Sequence, residues 1–165
     1  MEMIERNIAT GKYTVNRTNT ERNSVMFLYD HRNRVLMPVS NRGVWGLPGG
    51  IIDQGENPFD AAVRELGEET GVMFDHCRYD RANEVKFTWR DTRFYVARYN
   101  FPDVEGTKRF IDPTGEIRHV EFPRIENLFA VLKASNDIKA FKDAKYLKCG
   151  RIAAPIRQCM IECFV

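Results

Sequence analysis

Between Asn57 and Gly71 the sequence holds a helix written out with both of its ends. Asn57 is of the residue type whose side chain satisfies the first free amide groups of a helix. Pro58 suits the first helical position because it brings no N–H there, and Gly71 suits the left-handed residue just past the C-terminus. The spacing predicts a helix over 58–70. Along it Phe59, Ala62, Val63 and Leu66 recur at the i, i+3, i+4, i+7 interval, so one face must be seated on an apolar core.

The flank of that face carries chemistry. Glu65, Glu68 and Glu69 fall on an adjacent arc, because steps of three and four residues return nearly to the same side of a helix. Like charges so placed cost a helix roughly 0.2–0.5 kcal/mol per pair, and carboxylates near the C-terminal end also meet the unfavourable end of the helix dipole. A solvated acidic face with Arg64 as its partner would tolerate this cost. A divalent cation would remove it, and oxygen donors without a paired His or Cys favour Mg²⁺, with Mn²⁺ as the alternative, over zinc.

Around the helix the pattern is mostly extended. Residues 24–29 and 34–39 are β-rich runs separated by turn residues at 30–33, which predicts a hairpin. Trp45-Gly46-Leu47-Pro48-Gly49-Gly50 must turn sharply or approach something closely, and Ile51-Ile52 resumes a short strand. Residues 83–88 and 93–99 read as strands joined near Arg90-Asp91, and 117–122 alternates as a half-buried strand should. Residues 100–115, with Thr107-Lys108-Arg109 in their middle, read as a long surface loop of the kind that serves as a substrate lid. From 125 onward the pattern turns helical, including 137–147 and a terminal helix on which Ile156, Cys159 and Cys163 share a face. Residues 1–22 are polar, with Lys12-Tyr13-Thr14-Val15 as their one strand-like run, and read as an extension or edge strand before a single domain over 23–165. Strands on both sides of a central helix predict an α/β (α+β) sandwich.

Composition bounds the function. A chain of 165 residues, 43% hydrophobic and 29% charged, is of a size for one domain with a full core. Its net charge of +2 gives no broad field for a nucleic-acid backbone, so an anionic ligand must be met locally. No apolar run reaches the roughly 18 residues of a membrane span, and the charged start is unlike a secretory signal, so the expected location is the cytoplasm. Cys77, Cys149, Cys159 and Cys163 lack the spacing of a zinc or redox motif and are expected as reduced, mostly buried thiols. His31, His76 and His119 lie far apart and are assigned no chemistry. The apolar tail over 152–165 is expected either to cap the domain's own core or to supply a homodimer surface.

Measured from Gly50, the chain reads glycine, five residues, Glu56, seven residues, Arg64-Glu65-Leu66, one residue, Glu68-Glu69, one residue, Gly71-Val72. That arrangement matches every fixed position of the Nudix box, and Trp45-x-Leu47-Pro48-Gly49 is similar to its usual lead-in, so the chain resembles the Nudix hydrolase family. The resemblance implies an α/β/α sandwich with a mixed β-sheet. It also implies hydrolysis of a nucleoside diphosphate linked to another moiety, a small-molecule nucleotide being the partner. By the same resemblance Glu68 and Glu69 are the principal metal ligands, Glu65 is a further ligand or the base, and Gly49 offers its carbonyl. Arg64 would orient the glutamates, and Gly50, Glu56 and Gly71 are the structural positions of the motif. Related enzymes take the base from the box or from a later loop, which makes Glu116 the candidate outside it and Glu105 the next.

Substrate choice in this family lies outside the box. The proline that marks ADP-ribose hydrolases and the tyrosine that marks dinucleoside polyphosphate hydrolases have no clear counterpart around Phe87-Thr88-Trp89-Arg90, and no NADH-type or coenzyme A-type signature is present. Arg93, Lys108 and Trp89 are the candidates for substrate contact, with Arg22, Arg42 and Arg109 as further cations. Phe27, Phe94 and Tyr95 also offer aromatic faces, although aromatics at strand spacing more often fill a core. The expected substrates are nucleoside triphosphates or nucleotide sugars. The alternatives are a nucleotide-sensing module without turnover and an enzyme of the RNA 5′ end, which would need an extended basic groove.

Overall fold

The computed structural model describes residues 2–7, 12–17, 21–41, 43–101, 117–134, 151–152 and 154–164. In chain order the strands are β1 (Glu2–Asn7), β2 (Lys12–Arg17), β3 (Asn23–Tyr29), β4 (Met37–Ser40), β5 (Val44–Trp45) and β6 (Gly49–Ile51). Helix α1 (Pro58–Thr70) follows, then β7 (Val85–Trp89), β8 (Thr92–Arg98), β9 (Ile117–Glu121), α2 (Ile125–Ala134), β10 (Arg151–Ile152) and α3 (Ala154–Phe164).

The α1 boundaries follow from the predicted caps. The Asn57 side chain accepts the Phe59 N–H at 2.8 Å, and Gly71, at φ 74°, donates its N–H to the Gly67 carbonyl at 2.9 Å. Its apolar stripe lies on a mixed sheet of order β6-β3-β8-β7, in which β3 runs parallel to β8 and antiparallel to β6. Side chains alternate across that sheet. Met26, Leu28, Tyr95 and Ala97 face Phe59, Ala62 and Leu66 of α1. Val25, Phe27, Phe87, Phe94 and Val96 face the second sheet, of order β10-β5-β4-β9, together with Ile125 and Leu128 of α2 and Ile156, Cys159 and Met160 of α3. The result is the expected α/β/α arrangement. The terminal helix caps this core with Ile156 and Cys159, as their shared face predicted, and Cys163 packs against the same cluster.

Several expectations need correction. The hairpin predicted over 24–39 is made only at its root, by the Tyr29–Val35 bridge, the Asp30 N–H to Arg34 carbonyl bond and the Leu36 N–H to Leu28 carbonyl bond. Beyond that the strands part: Val35 donates to the Pro123 carbonyl, and β4 pairs with β5 and β9 in the other sheet. The first residues hold two strands, β1 as well as the anticipated β2, paired with Glu2 opposite Arg17. The strand expected from residue 83 begins at Val85, because Asp80 accepts the Asn83 N–H and caps a 3₁₀ turn over Arg81–Asn83. Cys77 is exposed, Cys159 buried and Cys163 half-buried. The loop through 102–116 and the helical pattern at 137–147 lie outside the described residues. No helix among the described residues is long and apolar enough to cross a membrane.

Candidate active site

The site is built where β6, the edge strand of its sheet among the described residues, meets the acidic arc of α1. Ser24 stands opposite Gly50, and the bonds from Ile52 N–H to Arg22 O and from Met26 N–H to Pro48 O, each 2.9 Å, mark which backbone groups point at β3. In an antiparallel ladder the intervening residues turn both their N–H and C=O the other way. Gly49 and Ile51 do so: Gly49 N–H reaches Glu69 Oε2 at 3.4 Å, and the Ile51 carbonyl accepts Arg64 Nη2 at 3.0 Å. The Gly49 carbonyl therefore lies on the same edge as the Glu69 carboxylate.

Close approach explains the two glycines. A Cβ on Gly50 would lie 2.6 Å from Glu65 Oε1, and one on Gly49 would lie 2.3 Å from the Ser24 carbonyl oxygen. Gly50 thus leaves room for the Glu65 carboxylate, which is only 17% exposed against 57% for Glu68. Burial pushes the Glu65 carboxyl above the ordinary carboxylate range, and Glu68 adds repulsion, against the pull of Arg64 and a hydrogen bond with Glu69.

Arg64 ties the arc together. It donates to both Glu56 oxygens at 3.0 and 3.1 Å, to Glu65 Oε1 at 3.1 Å and to Glu68 Oε2 at 3.2 Å, and Asp53 Oδ2 stands 3.4 Å away. The Glu56 bonds lead in holding the guanidinium more firmly protonated than usual. In return they hold Glu56 below the usual carboxylate range, helped by the Asp53 N–H. Glu56 thus anchors Arg64, in keeping with a structural part for it.

The donor set suits a hard divalent cation: Glu69 and Glu65 reach the β6 edge at Gly49 and Gly50, Glu68 is linked to Glu65 through Arg64, and a cation would relieve both the burial that chiefly raises Glu65 and the repulsion that Glu68 adds. Among the described residues no three acidic, His or Cys side chains already form a cage, and the Arg64 guanidinium bridges Glu65 and Glu68.

The substrate candidates are placed differently. Arg93 shares a cross-strand row with Ser24 and Gly50, two strands and about 10 Å across. Its fork is engaged with Glu21, Nε to Oε2 at 2.7 Å and Nη2 to Oε1 at 2.8 Å, a pair that raises its pKa. Trp89 is half-buried with the Arg90 guanidinium 4.5 Å from its ring centre. Phe27, Phe94 and Tyr95 are core residues. Lys108, Glu116, Glu105, Arg42 and Arg109 lie outside the described residues. Sequence reasoning missed Ser24, whose buried hydroxyl donates to the Pro58 carbonyl at 2.5 Å and pins the start of α1 to β3. It also missed Glu21 as the partner of Arg93. A lone serine in an apolar run and a partner 72 residues away leave no local pattern to find.

The family model described as NUDIX domain matches residues 19–144. The chain is 32% identical over 78 residues to Nudix hydrolase 2 of Arabidopsis thaliana, covering 42% of this chain and 28% of that protein. It is 33% identical over 82 residues to an RNA pyrophosphohydrolase of Erythrobacter litoralis, covering 39% of this chain and 50% of that one. The chain thus spans half or less of these relatives' length. A solved structure from Deinococcus radiodurans shares the fold, with a TM-score of 0.58 at 15% identity over the whole of both chains. With the box, the fold and a match over most of its length in agreement, this chain belongs to the Nudix hydrolase family.

Proposed function

We propose that this chain hydrolyses a pyrophosphate bond in a nucleoside diphosphate linked to another moiety, using Mg²⁺ or Mn²⁺. The observation that supports this best is the meeting of Glu69 and Glu65 with the edge of β6 at Gly49 and Gly50, with Glu68 joined to Glu65 through Arg64. Glu68, Glu69 and the Gly49 carbonyl would hold the cation, with Glu65 as a further ligand or the base. A bound divalent cation supplies charge neutralisation at the phosphate oxygens and a more acidic water. Arg64 sets the direction of Glu65 and Glu68, and Glu56 keeps Arg64 in place. Glu116 is the proposed base outside the box. Lys108 and Trp89 are proposed to touch substrate, whereas Arg93 would reach a phosphate only by giving up Glu21.

Nucleoside triphosphates and nucleotide sugars are the proposed substrates, turned over in the cytoplasm. A second reading, action at the 5′ end of RNA, is favoured by the Erythrobacter litoralis relative, which bears the name RNA pyrophosphohydrolase. The test is a panel of nucleoside triphosphates, nucleotide sugars and 5′-triphosphorylated RNA with Mg²⁺ and product identification, run beside Glu68→Gln and Glu69→Gln. Cleavage by the wild type that both variants lose is the expected result. Nucleotide binding with no cleavage of any panel member would instead make this a sensing module.

A further inference from the structure

At the end of the central sheet away from Gly50, an open pocket of about 460 Å³ lies between the β3–β4 turn, the 3₁₀ turn His76–Arg78 and the end of β8. Ser24 stands opposite Gly50 and Tyr29 opposite Arg98, so the pocket lies five β3 residues from the glutamate site, or roughly 16 Å. Its volume is in the range that holds a small ligand.

The cations of this pocket are held by a carbonyl and a ring face, and Arg78 also by a carboxylate. Arg78 donates from Nη1 to the Asn100 carbonyl at 3.1 Å, and the Arg98 guanidinium carbon lies 5.7 Å from the centre of the Tyr29 ring. Nearby carboxylates are occupied. Asp80 accepts from Asn83 at both oxygens, at 3.3 and 2.9 Å. Asp75 caps the Cys77 N–H at 2.9 Å and stands 3.5 Å from Arg78 Nε. His31 adds two ring nitrogens to the lining. Two guanidinium groups and the His31 ring line the hollow, with Asp80 as the lining carboxylate and Asp75 paired to Arg78 behind it.

We propose that this pocket binds the phosphate group of a small phosphorylated molecule through Arg78 and Arg98, without a divalent cation and apart from the glutamate site. Guanidinium forks match phosphate oxygens in geometry and charge, and both side chains arrive pre-oriented by a carbonyl and by a ring face. The ligand is either free phosphate or a nucleoside monophosphate, and the two share the group that is read.

Cys77 lines the pocket and is exposed, so its alkylation rate reports occupancy. The experiment follows iodoacetamide modification of the Cys77 peptide by mass spectrometry, on the full chain in EDTA, with orthophosphate or AMP added. Ligand at about ten times its Kd is expected to slow modification about tenfold. Protection by AMP alone assigns the pocket to a nucleotide, and protection by both assigns it to phosphate. Arg98→Gln and Arg78→Gln should abolish protection, while Arg98→Lys, which keeps the charge, retains part of it and controls for misfolding. Absence of protection by either probe overturns the proposal. So does protection that survives Arg78→Gln with Arg98→Gln, or protection that appears only when Mg²⁺ replaces EDTA. Because the assay contains no metal and reads no turnover, its failure is separate from a failure of the hydrolase reading.

Discussion

The Arg64 guanidinium holds Glu56 by two parallel hydrogen bonds, Nε to Oε2 at 3.0 Å and Nη2 to Oε1 at 3.1 Å, and so ties the loop after β6 to the middle of α1. The same group reaches Glu65 and Glu68, so the clamp on Glu56 sets where two of the proposed cation ligands point. A lysine is a point charge and cannot make the fork. Arg64→Lys and Glu56→Gln are therefore expected to fold and to lose about 10²-fold in kcat, the scale of an ångström-sized misplacement of reacting groups. Steady-state kinetics on the best panel substrate check this, and unchanged kcat in both variants would refute it.

Gly49 and Gly50 are neighbours whose substitution should fail in different ways. A Cβ on Gly50 meets the end of the Glu65 side chain at 2.6 Å, which can swing aside. Gly50→Ala should keep its melting temperature nearly unchanged while activity falls about 10²-fold. A Cβ on Gly49 meets the Ser24 carbonyl oxygen at 2.3 Å and the Val25 Cα at 2.7 Å, both backbone. Gly49→Ala should cost about 1–3 kcal/mol of stability, because an overpacked strand pair must shift. Thermal melting of the two proteins side by side separates them, and equal destabilisation would count against this account.

How much of this was legible beforehand depended on how local each cause is. Helix α1 was readable to the residue, because Asn57, Pro58 and Gly71 act on their immediate neighbours and the apolar stripe has a fixed period. The glutamate arc was readable for the same reason, and the box spacing carried the family. Strand partnership was not, since β4 is drawn from β3 by Pro123 and by β5 and β9, none of which marks residues 34–39. Arg93 looked like a free cation in the sequence, and only folding brings Glu21 to it. The polar composition of residues 1–22 concealed β1, whose pairing with β2 is a backbone matter.

Gly71 sits at φ 74° and closes α1 by donating its N–H to the Gly67 carbonyl at 2.9 Å. A side chain in that conformation costs about 1–2 kcal/mol. Gly71→Ala should lower stability by that amount, whereas Gly71→Asn, which tolerates the left-handed region better, should lower it less. Urea unfolding of the three proteins measures the order, and an alanine variant as stable as wild type would show that the helix end can re-form elsewhere.

Asp30 should dominate one part of the acid stability profile. Its side chain is 1% exposed and accepts the Arg32 N–H at 2.9 Å, the Arg34 N–H at 2.8 Å and Arg34 Nε at 2.8 Å. Burial alone would raise its pKa, but these bonds and the Arg34 charge outweigh it and hold the carboxyl below its ordinary value. The folded chain then binds fewer protons here than the unfolded chain. The stabilisation is complete above the unfolded carboxylate value of about 3.9 and is lost as pH falls from there through the lower folded value. Asp30→Asn removes the titrating group and weakens its bonds, so it should cost about 1–3 kcal/mol at neutral pH. The gap between wild type and variant should then narrow steadily below about pH 4. Urea unfolding across a pH series reads this directly, and a gap that stays constant into acid would mean that Asp30 is not held ionised by its partners.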